Sequence, residues 1–304
     1  MPAYLTEADV ARVLTPGAAA DAVEGSFARL ARGEVDNPPR VRLPIPHGQF
    51  AVMPCVDRGL GLAGLKTFAW TPGGTPFLVV LMTIHDPEIV AVLEAETLGQ
   101  LRTAAASAVA AKHLARDGAA SLGVIGCGRQ AASHVAALRA QLPALERVVV
   151  HCRDAGRRDA FCREHDCEPA GSAAVAGECD VVVTATTAVT PVLQGEWLRD
   201  GALVLAVGAN DPDARELDDA VLERVAAIYV DSREQAREEA GDLIEPATRG
   251  LVRWEDVHEL QDVVAGTVEG RADQNDVLVF KSSGLAAWDL AVAARVVELA
   301  RQLS

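Results

Sequence analysis

The hexapeptide Gly126-Cys127-Gly128-Arg129-Gln130-Ala131 constrains the fold more than any other part of the chain. It follows the apolar run at 122–125 and precedes an amphipathic stretch over 129–142, so a GxGxxA turn joins a predicted strand to a predicted helix. Each position then has a physical role. Gly126 permits the tight turn, Gly128 lets a pyrophosphate approach the backbone, and Ala131 lets helix and strand pack closely. Arg129 and Gln130 open a helix whose free N–H groups and positive dipole end suit phosphate.

Further near-continuous Val, Ile, Leu and Ala runs follow at 147–150, 180–184, 203–207 and 227–230. Short strands of this kind, alternating with helical stretches, predict a parallel sheet covered on both faces. Helices are expected over 254–266 and 284–303. Composition and period change near residue 119. Upstream, Thr6 with Asp9 and Thr15 with Pro16 mark two helix starts. The segment 37–84 is broken by proline and glycine into short β-like runs, and 102–116 is an alanine-rich helix. The expected organisation is α/β: a Rossmann dinucleotide-binding domain at 119–276, inserted into an α+β domain formed by 1–118 plus 277–304.

The end of the second strand of the parallel sheet bears on the choice of dinucleotide. NAD-binding units usually place an acidic residue there to accept from the ribose 2′-OH. Here Cys152 occupies that position and Arg153 follows it, a neutral residue and a cation that suit a 2′-phosphate and favour NADP over NAD. Asp154 keeps NAD open if the strand ends two residues later.

The 304 residues carry 43 acidic against 28 basic side chains, a formal charge of −15, which disfavours nucleic acid and anionic membranes as partners. No apolar run reaches membrane-spanning length and the N-terminus lacks a signal pattern, so a cytoplasmic location is expected. The six cysteines are too sparse for a disulfide framework, and reduced thiols are expected. Cys162, His165 and Cys167 lack a fourth nearby ligand, so no metal site is expected.

The blocks PPRVRLP, LKTF, LRTAAASAVAAKHLAR, GVIGCGRQA, TATTAVTPVL, VGANDPDARELD, EEAGDL and KSSGLAAWDLAVA, in this order along nearly the whole chain, resemble the motifs of the ornithine cyclodeaminase/μ-crystallin family. The resemblance implies a Rossmann domain within a substrate and dimerisation domain, and a homodimer. It places a substrate carboxylate against Arg40, Lys66 and Arg102, where guanidinium groups offer bidentate recognition. Lys66 stands in an apolar strand, where an unpaired ammonium is costly, and Arg102 is expected at a helix start, where the dipole favours anions. The resemblance also places Thr103, Ala185, Thr186, Val207 and Gly208 along the dinucleotide, with Lys281, Ser282 and Gly284 flanking the nicotinamide. Met53, Phe68, Trp70 and Trp288 are pocket or core candidates.

Position 210 departs from the family's cyclodeaminases, which carry an acid/base aspartate where this chain has Asn210. An amide cannot exchange a proton near neutral pH. The resemblance therefore points to reduction of a cyclic ketimine by NAD(P)H, with Lys66 as proton relay and Asn210 as a hydrogen-bonding group. Ornithine cyclodeaminase activity, giving proline and ammonia, is the alternative. A non-enzymatic NADP-dependent binding protein is a third reading.

Overall fold

A computed structural model describes residues 2–303. Along the chain come β1 (Ala3–Leu5), α1 (Glu7–Val13), α2 (Pro16–Ala31), β2 (Val35–Asp36), β3 (Val41–Ile45), β4 (Gly48–Asp57), β5 (Leu62–Trp70), β6 (Phe77–Thr83), β7 (Ile89–Glu94) and α3 (Glu96–Leu114). Then follow β8 (Ser121–Ile125), α4 (Arg129–Gln141), β9 (Arg147–His151), α5 (Ala155–His165), β10 (Glu168–Pro169), α6 (Ala173–Gly177), β11 (Val181–Thr184) and β12 (Leu203–Ala206). The rest is α7 (Asp219–Arg224), β13 (Val225–Val230), α8 (Arg233–Glu239), α9 (Gly241–Thr248), β14 (Val257–Glu259), α10 (Leu260–Val264), β15 (Val277–Lys281) and α11 (Ala286–Gln302).

Two units result: the chain up to Ala105 together with everything from Gly284 onward, and Ala106–Ser283. In the first, the sheet order is β1-β7-β6-β5-β4-β2, with β3 also on β4. β1 runs parallel to β7 and the other pairs are antiparallel. α11 packs on β4, β5, β6 and α2. Trp288 is fully buried there, its ring 5.2 Å from that of Phe27. The expected caps form, with Thr6 and Asp9 making a capping box and Thr15 accepting from Ala18 N at 3.2 Å ahead of Pro16.

The second unit is an all-parallel sheet in the order β10-β9-β8-β11-β12-β15-β13-β14. Connections run outward from β8 in both directions, so the order reverses between β8 and β11. Ligands of open α/β sheets bind at such a switch point, and the Gly126–Ala131 turn follows β8. The α/β class and the inserted parallel sheet match the expectation. Among the described residues no helix is long and apolar enough to cross a membrane.

The boundaries differ from those expected at 118/119 and 276/277. β15 pairs with both β12 and β13, so the chain stays in the parallel sheet until Ser283. The helix expected over 254–266 is divided into β14 and α10, because residues 257–259 pair with β13. The alanine-rich helix begins at Glu96 rather than near Arg102. Its first turn is capped by a distant side chain, since the carboxylate of Glu7 accepts from Glu96 N at 2.5 Å and from Thr97 N at 2.9 Å. Arg102 therefore stands in the second turn, outside the reach of the helix-terminal dipole invoked above.

Candidate active site

The glycine turn of the second unit fits a dinucleotide phosphate. Gly126 has φ +123°, and a Cβ there would lie 2.4 Å from the Ala185 carbonyl oxygen, so only glycine passes beneath the loop after β11. Gly128 is the N-cap of α4, with open space where a Cβ would stand and no side-chain cap for the first helical N–H groups. Arg129 and Gln130 form the first turn, and Ala131 is completely buried. The Gln130 carbonyl accepts from Nδ1 of His134 at 2.7 Å, a ring nitrogen assigned as the donor because the buried imidazole is held neutral. Burial pushes the His134 pKa down to about 4 against that bond.

β9 ends at His151, so Cys152 and Arg153 stand at the strand end, and Arg153 is exposed. Asp154 is the N-cap of α5, its Oδ1 accepting from Arg157 N at 2.9 Å. The cysteine expectation needs correction here: Cys127 and Cys152 form a disulfide, with Cα atoms 5.8 Å apart. Two residues 25 apart in sequence meet because β8 and β9 are adjacent strands. Cys55, Cys162, Cys167 and Cys179 are free.

The loops after β11 and β12 are joined by a residue the sequence reading missed. Glu216 is fully buried and accepts from Thr184 Oγ1 (2.8 Å), Thr186 N (2.8 Å), Thr186 Oγ1 (2.7 Å) and Gly208 N (2.7 Å). The Thr186 hydroxyl is thus committed to the protein, and Val207 N is bonded to Thr184 O. Asn210 is exposed on the loop beyond. Lys281 is fully buried, its ammonium 2.9 Å from Asp242 Oδ2 and bonded to the Ala209 carbonyl. Ser282 donates to Asp231 Oδ2 at 3.1 Å. Lys281 and Ser282 are therefore interior ties of this unit, whereas the resemblance placed them beside nicotinamide. The acids concerned are Asp231, at the end of the apolar run AIYV, and Asp242, in the acidic block EEAGDL.

The first unit brings Arg40, Lys66 and Arg102 together around Asp289 of α11, which sequence reasoning did not single out. Asp289 Oδ1 accepts from Lys66 Nζ at 3.0 Å and from Arg102 Nε at 3.1 Å, and Asp289 is fully buried. Lys66 is 3% exposed and Arg102 7%, so these are desolvated charges whose pairing decides whether the arrangement is tolerable. Gly99 on α3 makes room for the ammonium, since a Cβ there would stand 3.1 Å from Nζ. The Arg102 guanidinium lies 5.8 Å from the Trp288 ring, and Lys66 Nζ lies 5.2 Å from that of Phe77. Burial and then the Arg102 charge push the Lys66 pKa down to about 8, with Arg40 adding and Asp289 opposing.

Gly284 also falls in this cluster. Its carbonyl accepts from Arg40 Nη2 at 3.2 Å, its φ is +86°, and a Cβ would meet Arg102 Nη1 at 2.5 Å. Arg102 Nη1 and Asp289 Oδ2 are among the buried polar atoms that have no hydrogen-bond partner. A buried guanidinium nitrogen without an acceptor is costly and supplies the donor that a small carboxylate would need. Thr103, expected on phosphate, donates to Gly99 O at 2.8 Å within α3. Of the apolar candidates, Met53 is buried opposite Lys66 on β4 and Trp288 is core. Phe68 packs on Phe77, and Trp70 is exposed.

Comparison with known proteins gives a consistent set of relatives. The pattern of the ornithine cyclodeaminase/mu-crystallin family matches residues 2–303. An alanine dehydrogenase of Archaeoglobus fulgidus is 35% identical, over 97% of this chain and 94% of its own length. A Delta(1)-pyrroline-2-carboxylate/Delta(1)-piperideine-2-carboxylate reductase of Azospirillum brasilense is 36% identical over 93% and 91%. The structure of Thermococcus litoralis Delta(1)-pyrroline-2-carboxylate reductase in complex with NADH and L-proline superposes with a TM-score of 0.93 at 28% identity, covering 99% of this chain and 98% of that one.

Proposed function

The chain belongs to the ornithine cyclodeaminase/mu-crystallin family, and from that membership we propose that it is an NAD(P)-dependent reductase of cyclic 2-imino acids of the pyrroline- or piperideine-2-carboxylate type. The observation that carries this reading is the buried Arg40, Lys66 and Arg102 cluster with an unmatched guanidinium nitrogen. Arg102 and Arg40 bind the carboxylate, which fixes the orientation of the adjacent C=N carbon. The Gly126–Ala131 turn would hold the dinucleotide, whose chemistry would be hydride donation to a carbon of this kind. Lys66 gives one proton to the ring nitrogen, so C=N, hydride and proton become CH–NH. With its pKa near 8, Lys66 is largely charged at neutral pH and sits close enough to the working range to give up a proton.

Asn210 favours reduction over cyclodeamination, because the latter must deprotonate an ammonium and an amide cannot. For the dinucleotide, we read Arg153 as the partner of a 2′-phosphate. Asp154 caps α5 through Oδ1, and the residue that follows β9 and Cys152 is the exposed Arg153.

The test is an assay of the purified protein with 1-pyrroline-2-carboxylate, 1-piperideine-2-carboxylate, pyruvate plus ammonia, and ornithine, with each reduced or oxidised dinucleotide as required. Cyclic imines are expected to be reduced, faster with NADPH than with NADH at limiting concentration, and ornithine to yield no ammonia. Ammonia release from ornithine at a comparable rate would overturn the reading. Preference for pyruvate plus ammonia would move the substrate to an acyclic imine, and binding without turnover would leave a carrier.

We also read the protein as a homodimer formed through the first unit. Among the described residues β3 is paired only with β4, and Val41 and Leu43 on it are exposed; an open apolar edge invites a second chain. Sedimentation at micromolar concentration is expected to give near twice the 31.9 kDa chain mass, and a single-chain mass would refute the assembly.

A further inference from the structure

We propose that Asp289 is the positioning residue of this site: one carboxylate fixes the Lys66 ammonium and the Arg102 guanidinium at a set spacing, and keeps the ammonium charged until the substrate nitrogen needs its proton. The inference deepens the reductase reading and rests on it for the role of Lys66.

The geometry carries it. Oδ1 alone receives both cations, at 3.0 Å from Lys66 and 3.1 Å from Arg102, so the carboxylate couples a group on β5 to one on α3 from a third element, α11. A purely neutralising acid would satisfy both of its oxygens, yet Oδ2 has no partner while Arg102 keeps Nη1 unmatched. The pairing therefore holds Arg102 through Nε and leaves another part of its fork for a ligand. Around Lys66, the cross-strand neighbours Met53 on β4 and Val79 on β6 are apolar, and α3 presents Gly99. The charged groups acting on the ammonium are Arg102 from α3, Arg40 from the loop before β3, and Asp289 from α11. Two of these are cations that disfavour a charged lysine. Asp289 is the anion among them, and it favours the charged lysine against burial and the two cations.

The chain has three lysines, Lys66, Lys112 and Lys281, which makes the test direct. Protein labelled with ¹³C at lysine Cε shows three signals, with that of Lys66 assigned by its loss in Lys66→Met. In the native protein the Lys66 signal should titrate near pH 8, and in Asp289→Asn its midpoint should fall by at least one pH unit, a tenfold change in proton affinity. The alkaline limb of kcat/KM for the cyclic imine should move down with it, and KM should rise as Arg102 loses its anchor. An unmoved Lys66 midpoint in folded Asp289→Asn overturns the inference, as does a native Lys66 already neutral at pH 6, a result that needs no variant. If Asp289→Asn does not fold, Asp289→Glu replaces it. The displaced carboxylate should then lower the midpoint by less, and an unchanged or higher midpoint counts against the proposal. A midpoint that moves while the rate profile does not supports the positioning role and overturns Lys66 as proton source, so the two readings fail separately.

Discussion

Replacing Lys66 by methionine is expected to lower kcat/KM for the cyclic imine by roughly 10²–10⁴, the range of a general acid–base contribution, while the affinity for NADPH stays within about twofold. Methionine approximates the length and apolar body of the lysine stem, so β5 keeps its packing between Met53 and Val79. Asp289 keeps Arg102 as a partner at 3.1 Å, which avoids stranding a buried carboxylate. The loss should therefore report the missing proton donor. The pH profile supplies a second check. Lys66 has a pKa near 8, so it holds its proton below that value and loses it above. Native reduction should fall as pH rises through about 8, and in Lys66→Met the residual rate should lack that fall. A variant with native kcat/KM, or one that retains the alkaline limb, would remove Lys66 from the proton path.

What the sequence made legible was local. The glycine turn, the strand that precedes it and the Thr6 and Thr15 caps are each specified within a few residues, and each forms where the pattern put it. What stayed hidden was set by partners far along the chain. α3 begins at Glu96 rather than Arg102 because Glu7 caps it from 89 and 90 residues away. β15 reads as a return to the first domain until β12 and β13 are seen on its two sides. The same holds at the sites. Arg40, Lys66 and Arg102 could be named from their motifs, but Asp289, 223 residues from Lys66, could be found only through the helix that carries it. Its signal was an acid in the apolar run AAWDLAVAA. Lys281 is tied inward by Asp242, a partner 39 positions earlier whose proximity no spacing rule predicts.

Arg102→Ala tests the other half of the cation cluster, and its signature should differ from that of Lys66→Met. Arg102 offers Nη1 to a ligand while Nε is held by Asp289 and the guanidinium plane lies near Trp288. Its contribution is to carboxylate binding in ground and transition states alike, so the loss should fall mainly on KM. A hydrogen bond to a charged group contributes about 1.5–3 kcal/mol, which corresponds to roughly 10–150-fold in kcat/KM. Arg102→Lys should recover little of it, because an ammonium on a shorter reach cannot both pair with Asp289 and present a second donor to the substrate. The alkaline limb should also move. Arg102 is the first of the charges that depress Lys66, after burial, so its removal should raise the Lys66 pKa and shift the fall in rate to higher pH, opposite in direction to Asp289→Asn. Opposite displacements from two substitutions on the same lysine cannot arise from general loosening of the fold. A kinetically silent Arg102→Ala, or a limb that moves downward, would place the substrate carboxylate elsewhere.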